Sequence, residues 1–143
     1  MKHLVFPLAF LVASCGGPSA ADIVVRDGWA RSTAPGQSAG AIYATIENRG
    51  GSPDRLTGVV TTSATMVMIH ESRNENGISR MRMVDGLDIP AGSKVELKPG
   101  GTHVMIEGLT APLVAGQRFD IKVTFDKSGE RTVPVSVIAA GAR

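Results

Sequence analysis

An all-β fold is the class that the sequence predicts, either a β-sandwich or a β-barrel of the Greek-key type. Three observations predict it. Apolar and polar residues alternate in short runs, turn-forming Gly, Pro, Asn and Asp separate these runs about every ten residues, and no segment combines a long helical period with capping residues. The chain of 143 residues suits one domain with a single hydrophobic core.

The predicted strands follow one another in the same style. The first is IVVRDGWAR, with a turn near Asp27–Gly28. The second is AGAIYATIENRG, in which Ile42 and Ile46 alternate with Tyr43 and polar residues before an Asn-Arg-Gly-Gly turn. Later runs complete the series: DRLTGVVTT, TMVMIHES, SRMRMVDG, SKVELKPGG, THVMIEGL, QRFDIKVTFD and ERTVPVSVIA. Pro134 has no backbone N–H, so it indicates an edge strand or a bulge in the last run.

The N-terminal residues are typical of a bacterial secretory signal. Lys2 precedes an apolar run that is too short to span a membrane as an ordinary helix, and small residues follow it. Cys15 stands directly after VAS, as in a lipobox, whose cysteine becomes the lipid-modified first residue of the mature protein. The alternative is cleavage near Ser19–Ala21, which would discard Cys15. The sequence favours the lipoprotein, because a lone exposed thiol is a liability in an oxidising compartment.

One domain boundary and a location follow from this leader. We expect residues 1–21 to be signal and spacer, and residues 22–143 to form the β-domain. Both ways of processing the leader export the protein, so we expect it in the periplasm or cell envelope, with a lipid tether if Cys15 is retained.

Composition argues against several classes of function. The formal net charge is +2 and no basic run marks a polyanion site, while aromatic residues are scarce, so nucleic acid is not an expected partner. The chain shows no Ser/His/Asp arrangement, no paired carboxylate site and no phosphate-binding glycine loop. We therefore expect a protein that is not an enzyme.

Four residues outside the leader form a candidate site at the spacing H-x10-M-x21-H-x-M: His70, Met81, His103 and Met105. His70 is predicted to end its strand, and the turn NENG to bring Met81 near it in a hairpin. His103 and Met105 share one face of their strand, after a PGG turn, which leaves Val104 and Ile106 for the core. Taken alone, such residues pack more often than they bind, since methionine is a common core filler.

The spacing and its flanking segments resemble the periplasmic copper chaperone family PCuAC. The resemblance covers about residues 23–138, from DGWARSTAPGQSAGAIYATIENRG through the segment ending HVMIEGL to FDIKVTF and VPVSV. It implies a cupredoxin-like β-sandwich in which His70, Met81, His103 and Met105 bind Cu(I), with one copper per chain. The chemistry agrees, because thioethers and imidazoles suit Cu(I), whereas a blue-copper site would need a thiolate.

Neighbouring residues carry weaker expectations. Met66 and Met68 are expected to pack near the site, and Met83 is a spare thioether outside the ligand set. Trp29 is expected in the core, with packing near the site as the alternative. Glu71 follows His70 and is expected to be a solvated charge at a strand end. The alternative is that Glu71 contacts one of the metal-binding side chains and helps to orient it.

The resemblance implies a carrier that delivers Cu(I) by ligand exchange to cytochrome c oxidase assembly, with an oxidase subunit or a thioredoxin-like Sco-type protein as acceptor. The sequence leaves two alternatives open. One is a copper buffer or scavenger, and the other is a metal-free β-sandwich that mediates interactions. The tail VIAAGAR lacks the histidines and methionines that some relatives use for additional copper.

Overall fold

Ten β-strands make up the computed structural model, which describes residues 17–143. The apolar leader and Cys15 lie outside the described residues. The strands are β1 (Ile23–Arg31), β2 (Ala39–Asn48), β3 (Asp54–Val60), β4 (Ala64–Glu75), β5 (Ile78–Val84), β6 (Leu87–Ile89), β7 (Lys94–Leu97), β8 (His103–Leu109), β9 (Arg118–Phe125) and β10 (Gly129–Ile138). Within residues 17–143, no helix is long and apolar enough to cross a membrane.

The strands hydrogen-bond in the order β5-β4-β8-β2-β1-β10-β9-β3-β6, and β7 pairs with β2. The first half of β2 pairs with β8 and the second half pairs with β7, so this long strand has two successive partners on the same side. β8 inserts between β2 and β4, and β10 lies between β1 and β9, where it runs parallel to β1. These crossings are of the Greek-key kind, and the all-β prediction is confirmed.

Aliphatic side chains fill the core from alternating positions of the strands. On β8, Val104 and Ile106 are 1% and 0% exposed, which confirms that this face of the strand was correctly predicted to be the core face. On β4, Ile69 is buried, whereas His70 beside it lies on the opposite face and is half-buried. The alternation therefore directs the imidazoles of β4 and β8 away from the core.

The predicted turn at Asp27–Gly28 is wrong, because β1 continues through it as a bulge. The pairing of β1 with β2 shifts register between Arg26 and Trp29, and Asp27 has a φ of 56°. A Cβ on Gly28 would lie 2.6 Å from the carbonyl oxygen of Pro134, so only glycine permits this approach. Pro134 itself lies in the interior strand β10, and pairing of β10 with β1 begins only at Ser136, beyond the bulge.

The prediction that His70 ends its strand is also wrong. β4 continues to Glu75 and turns back into β5 through Asn76–Gly77, whose φ angles of 53° and 79° are those of a two-residue hairpin turn. β8 pairs with β4 only as far as His70, so residues 71–82 form a two-stranded arm beyond the sheet. The apolar pattern stops at Ile69 because this arm has no core to cover.

Candidate metal centre

A row of side chains crosses the sheet on the face opposite the core. His70 of β4 lies directly opposite His103 of β8 on one side and Met83 of β5 on the other. The row continues to Tyr43 of β2 and Trp29 of β1, which are register partners. The imidazole rings of His70 and His103 meet edge to face with centroids 5.6 Å apart, and the Tyr43 ring lies 6.3 Å from that of His103. We call this side of the sheet the imidazole face.

Methionines occupy the neighbouring row of the imidazole face. Met105 lies two residues along β8 from His103, directly opposite Met68 of β4, and both are half-buried. Met66, two residues further along β4, lies opposite Glu107 and is 53% exposed. The expectation that Met66 packs is therefore wrong, because more than half of its surface is exposed.

His103 is the most buried of the predicted ligands, with 6% of its surface exposed. Its Nδ1 lies 2.9 Å from the carbonyl oxygen of Gly101. A carbonyl oxygen can only accept a hydrogen bond, so Nδ1 carries the proton and the neutral ring keeps its lone pair on Nε2. Such a bond on one nitrogen is the usual way in which a protein orients a metal-binding histidine.

The turn before β8 holds this arrangement. The backbone N–H of Gly101 donates to Lys98 O at 3.0 Å, and the N–H of Lys98 donates to Thr102 O at 2.9 Å. The closed turn aims the Gly101 carbonyl back at the His103 ring, two residues later. The PGG turn expected to present His103 thus also fixes which of its nitrogens is free.

His70 lacks a comparable partner. Its Nδ1 is buried and has no hydrogen-bond partner among the described residues. A buried ring nitrogen without a partner is unfavourable and calls for an explanation. A metal ion bound by this imidazole supplies one, so the site's chemistry fits a metal.

Met81 lies one row from the two histidines, on the side opposite to the row that holds Met105 and Met68. Its register partner is Ser72, two residues beyond His70 on β4, so Met81 and His70 are diagonal neighbours across the β4–β5 pair. Met81 is 58% exposed and belongs to the arm, where it lines a surface cavity with Arg73, Arg80 and Arg82 among others. The fold thus brings His70, His103 and Met105 to adjacent positions and leaves Met81 at their outer edge.

Glu71 lies on the other face of β4 and contacts arginines rather than the histidines. Arg73 approaches its carboxylate at 3.1 Å and Arg82, across the hairpin, at 3.0 Å. Hydrogen bonds from Arg73 and then Arg82 hold the pKa of Glu71 below its ordinary value. The pair with Arg82 joins the two strands of the arm, whereas the pair with Arg73 lies within β4. Glu71 is therefore not the strand-end charge that the sequence suggested.

Two aromatic residues, Trp29 and Tyr43, border the histidines. Trp29 was expected in the core, but it is half-buried on the imidazole face, where its ring centroid lies 4.4 Å from that of Tyr43. The guanidinium groups of Arg31 and Arg143 lie 5.8 and 5.4 Å from the Trp29 ring. The available signal was the alternation of β2, which sets Tyr43 on the face opposite Ile42.

The candidate metal centre is not a cluster of carboxylates or thiolates. Within residues 17–143, no three His, Cys, Asp or Glu side chains are grouped closely enough to hold a metal ion. Any metal on the imidazole face therefore depends on methionine sulfur beside the two imidazoles. Soft donors of this kind select a soft, monovalent ion over Zn²⁺, Mg²⁺ or Ca²⁺.

The fold and the imidazole face together define an all-β domain with a candidate metal centre on one face of its sheet, and solved PCuAC domains are similar to this chain. The copper-bound PCuAC domain from PmoF2 is 26% identical, with a TM-score of 0.72, over 87% of this chain and 99% of that one. CuI-DR1885 from Deinococcus radiodurans is 26% identical, with a TM-score of 0.65, over 90% of this chain and 83% of that one. The resemblance to PCuAC is thereby confirmed.

The chain belongs to the LpqE-like family. The family model, described as "Putative lipoprotein LpqE-like", matches residues 23–137, which is nearly the whole described domain. A relative from Leifsonia xyli subsp. xyli, "Putative lipoprotein Lxx21020", is 33% identical over 126 residues, covering 87% of this chain and 74% of that protein.

Proposed function

We propose that this protein is a copper chaperone of the bacterial cell envelope, which binds one Cu(I) through His70, Met81, His103 and Met105. The observation that carries the proposal is the register of β4 and β8, which sets His70 opposite His103 with Met105 two residues along the same face. The copper-bound structures of similar domains support it.

The donor set accounts for the choice of ion and oxidation state. Two neutral imidazoles and two thioethers are soft ligands without charge, which favour Cu(I) over divalent ions. Residues 17–143 contain no cysteine, so the described domain cannot build the thiolate-based blue-copper centre that serves electron transfer. Cargo binding rather than redox turnover is the role that these ligands fit, and no substrate is transformed.

Delivery would proceed by ligand exchange, in an order set by burial. Met81 is more than half exposed and lies at the outer edge of the site, whereas His103 is buried and held by the Gly101 carbonyl. An acceptor's ligands can displace Met81 first and His103 last, so that copper is never released free. We propose as acceptors the copper centre of a cytochrome c oxidase subunit or a thioredoxin-like Sco-type protein.

The envelope location rests on the leader and on the family. A secretory-type leader with Cys15 after VAS fits a lipid tether, and the family description names a lipoprotein. Mass spectrometry of the mature N-terminus tests this: a lipid-modified Cys15 is expected, and a mature chain that begins after Cys15 would contradict the tether.

A Cu(I) titration of the reduced protein against a competing chelator tests the site. We expect one equivalent to bind, and the double variant H103A/M105L to lose most of that affinity. Met66→Leu is the matched control, because Met66 is an exposed methionine on the same face but lies four residues from His70 along β4. Unchanged binding in H103A/M105L would contradict the site assignment.

Deleting the gene and measuring oxidase activity at low copper tests delivery separately. Lost oxidase activity that added copper restores is expected of a chaperone. Normal oxidase activity combined with lost copper tolerance would instead favour a copper buffer.

A further inference from the structure

The second methionine of β5, Met83, has no role in the four-ligand site, yet its position on the imidazole face is closer to His70 than that of Met81. The two methionines lie two residues apart on one strand and so point to the same face. They are 68% and 58% exposed, so neither is a core residue.

Many of the exposed apolar side chains in the described part of the chain are methionines on the imidazole face. Of the six large hydrophobic residues that are exposed, three are methionines, namely Met66, Met81 and Met83, and the register places all three on the imidazole face. Scattered exposed apolar residues need no explanation, but methionines gathered beside two imidazoles do.

The β4–β5 register decides which methionine is nearer. Met83 is the direct partner of His70, whereas Met81 is the partner of Ser72. Side chains of direct partners have Cβ atoms about 4.5–5.5 Å apart, while diagonal neighbours are about 7–8 Å apart, still within reach of long side chains. Met83 also lies in the row where three strands pair, and Met81 lies in the two-stranded arm.

The hairpin turn fixes the register between β4 and β5. A two-residue turn at Asn76–Gly77 fixes the pairing of every later residue of β5 with β4. A slip by one residue would move both methionines to the opposite face and would separate the ion pair between Glu71 and Arg82.

We propose that Met83 is an additional Cu(I) ligand that shares one coordination position with Met81. This inference rests on the proposed Cu(I) site. While His70 and His103 hold the ion, the thioether position alternates between Met83, which lies opposite His70, and Met81, which lies further out. An acceptor that approaches the arm can displace Met81 while Met83 still coordinates, and copper remains Cu(I) throughout.

Cu(I) affinities of four variants test the proposal by competition with a chelator: M81L, M83L, the double variant M81L/M83L, and the control M66L. Leucine keeps the apolar volume and removes the sulfur, and all three positions are exposed, so folding is preserved and circular dichroism verifies it. We expect each single variant on β5 to bind up to about tenfold more weakly, and the double variant about a hundredfold or more. M66L should match the wild type.

Other outcomes overturn the proposal in distinguishable ways. Wild-type affinity in M83L, with a double variant no weaker than M81L, would show that Met83 is not a ligand while leaving the four-ligand site intact. Wild-type affinity in M81L with weak binding in M83L would overturn the alternation. A wild-type protein that binds no stoichiometric Cu(I) would overturn the proposed function and this inference with it.

Discussion

At the scale of single residues, the hydrogen bond between His103 and Gly101 orients one imidazole of the proposed copper site. The sequence predicted that His103 and Met105 share one face of their strand, because side chains alternate strictly along a strand. It could not predict the Gly101 carbonyl contact, because that depends on how the turn before β8 closes. Likewise, only the three-dimensional pairing shows that the Nδ1 atom of His70 is buried and has no hydrogen-bond partner within residues 17–143.

We predict that the neutral ring of His103 is the tautomer protonated on Nδ1. The Gly101 carbonyl accepts a bond from that nitrogen and leaves Nε2 as the free donor atom. Long-range proton–nitrogen NMR correlations of the apoprotein distinguish the two tautomers. A neutral ring protonated on Nε2 would contradict the inferred orientation.

A second residue-scale prediction concerns Asp54, which is 5% exposed and lies far from the imidazole face. Burial raises the pKa of its carboxyl, but hydrogen bonds from Ser128 and from the backbone N–H groups of Lys127, Arg55 and Ser128 outweigh burial and lower it. A lowered folded-state pKa stabilises the fold above the unfolded value of about 3.9, and this stability is lost as the pH falls through the folded pKa.

We therefore expect D54N to lower the free energy of unfolding at neutral pH by about 1–3 kcal/mol, because an amide cannot accept all of these bonds. It should also reduce the loss of stability below about pH 4. Urea unfolding across that pH range measures both effects. Asp85→Asn is the matched control, since its side chain is 95% exposed in a surface ion pair and should change little. Equal effects of the two substitutions would contradict the argument.

At the scale of elements, the arm of residues 71–82 is the part that the sequence described least well. The run TMVMIH suggested a strand ending at His70, because the following residues are polar and no core position continues the pattern. The strand persists since pairing with β5, the Asn76–Gly77 turn and the ion pairs of Glu71 stabilise it without a core. The bulge in β1 was mistaken for a turn, because an Asp-Gly pair is common in both turns and bulges.

We predict that Gly77→Ala loosens the arm. Gly77 has a φ of 79° and open space around its Cβ position, so alanine costs only backbone strain, about 1 kcal/mol. Hydrogen exchange should become faster across residues 71–82. Gly58→Ala in β3 is the control, because its Cβ would meet only Thr124, at an ordinary 3.9 Å. Exchange in the arm that is unchanged in the Gly77 variant, or equally changed in the Gly58 variant, would contradict this.

At the scale of the whole molecule, the fold class followed from period-two alternation and regular turn signals, and Val104 and Ile106 were correctly assigned to the core. Strand order did not follow, because pairings such as β8 between β2 and β4 join distant parts of the chain. The strand order brings together the residues of the proposed copper site. His70, His103 and the two methionines of β5 lie on three adjacent strands only because β8 pairs with β4.

X-ray absorption at the copper edge of the Cu(I)-loaded full chain tests the central claim most directly, because it reports which atoms coordinate the ion. We expect both imidazole nitrogen and thioether sulfur among the coordinating atoms, and a loss of sulfur in the variant M81L/M83L/M105L. Coordination by nitrogen and oxygen alone in the unmodified protein would contradict it.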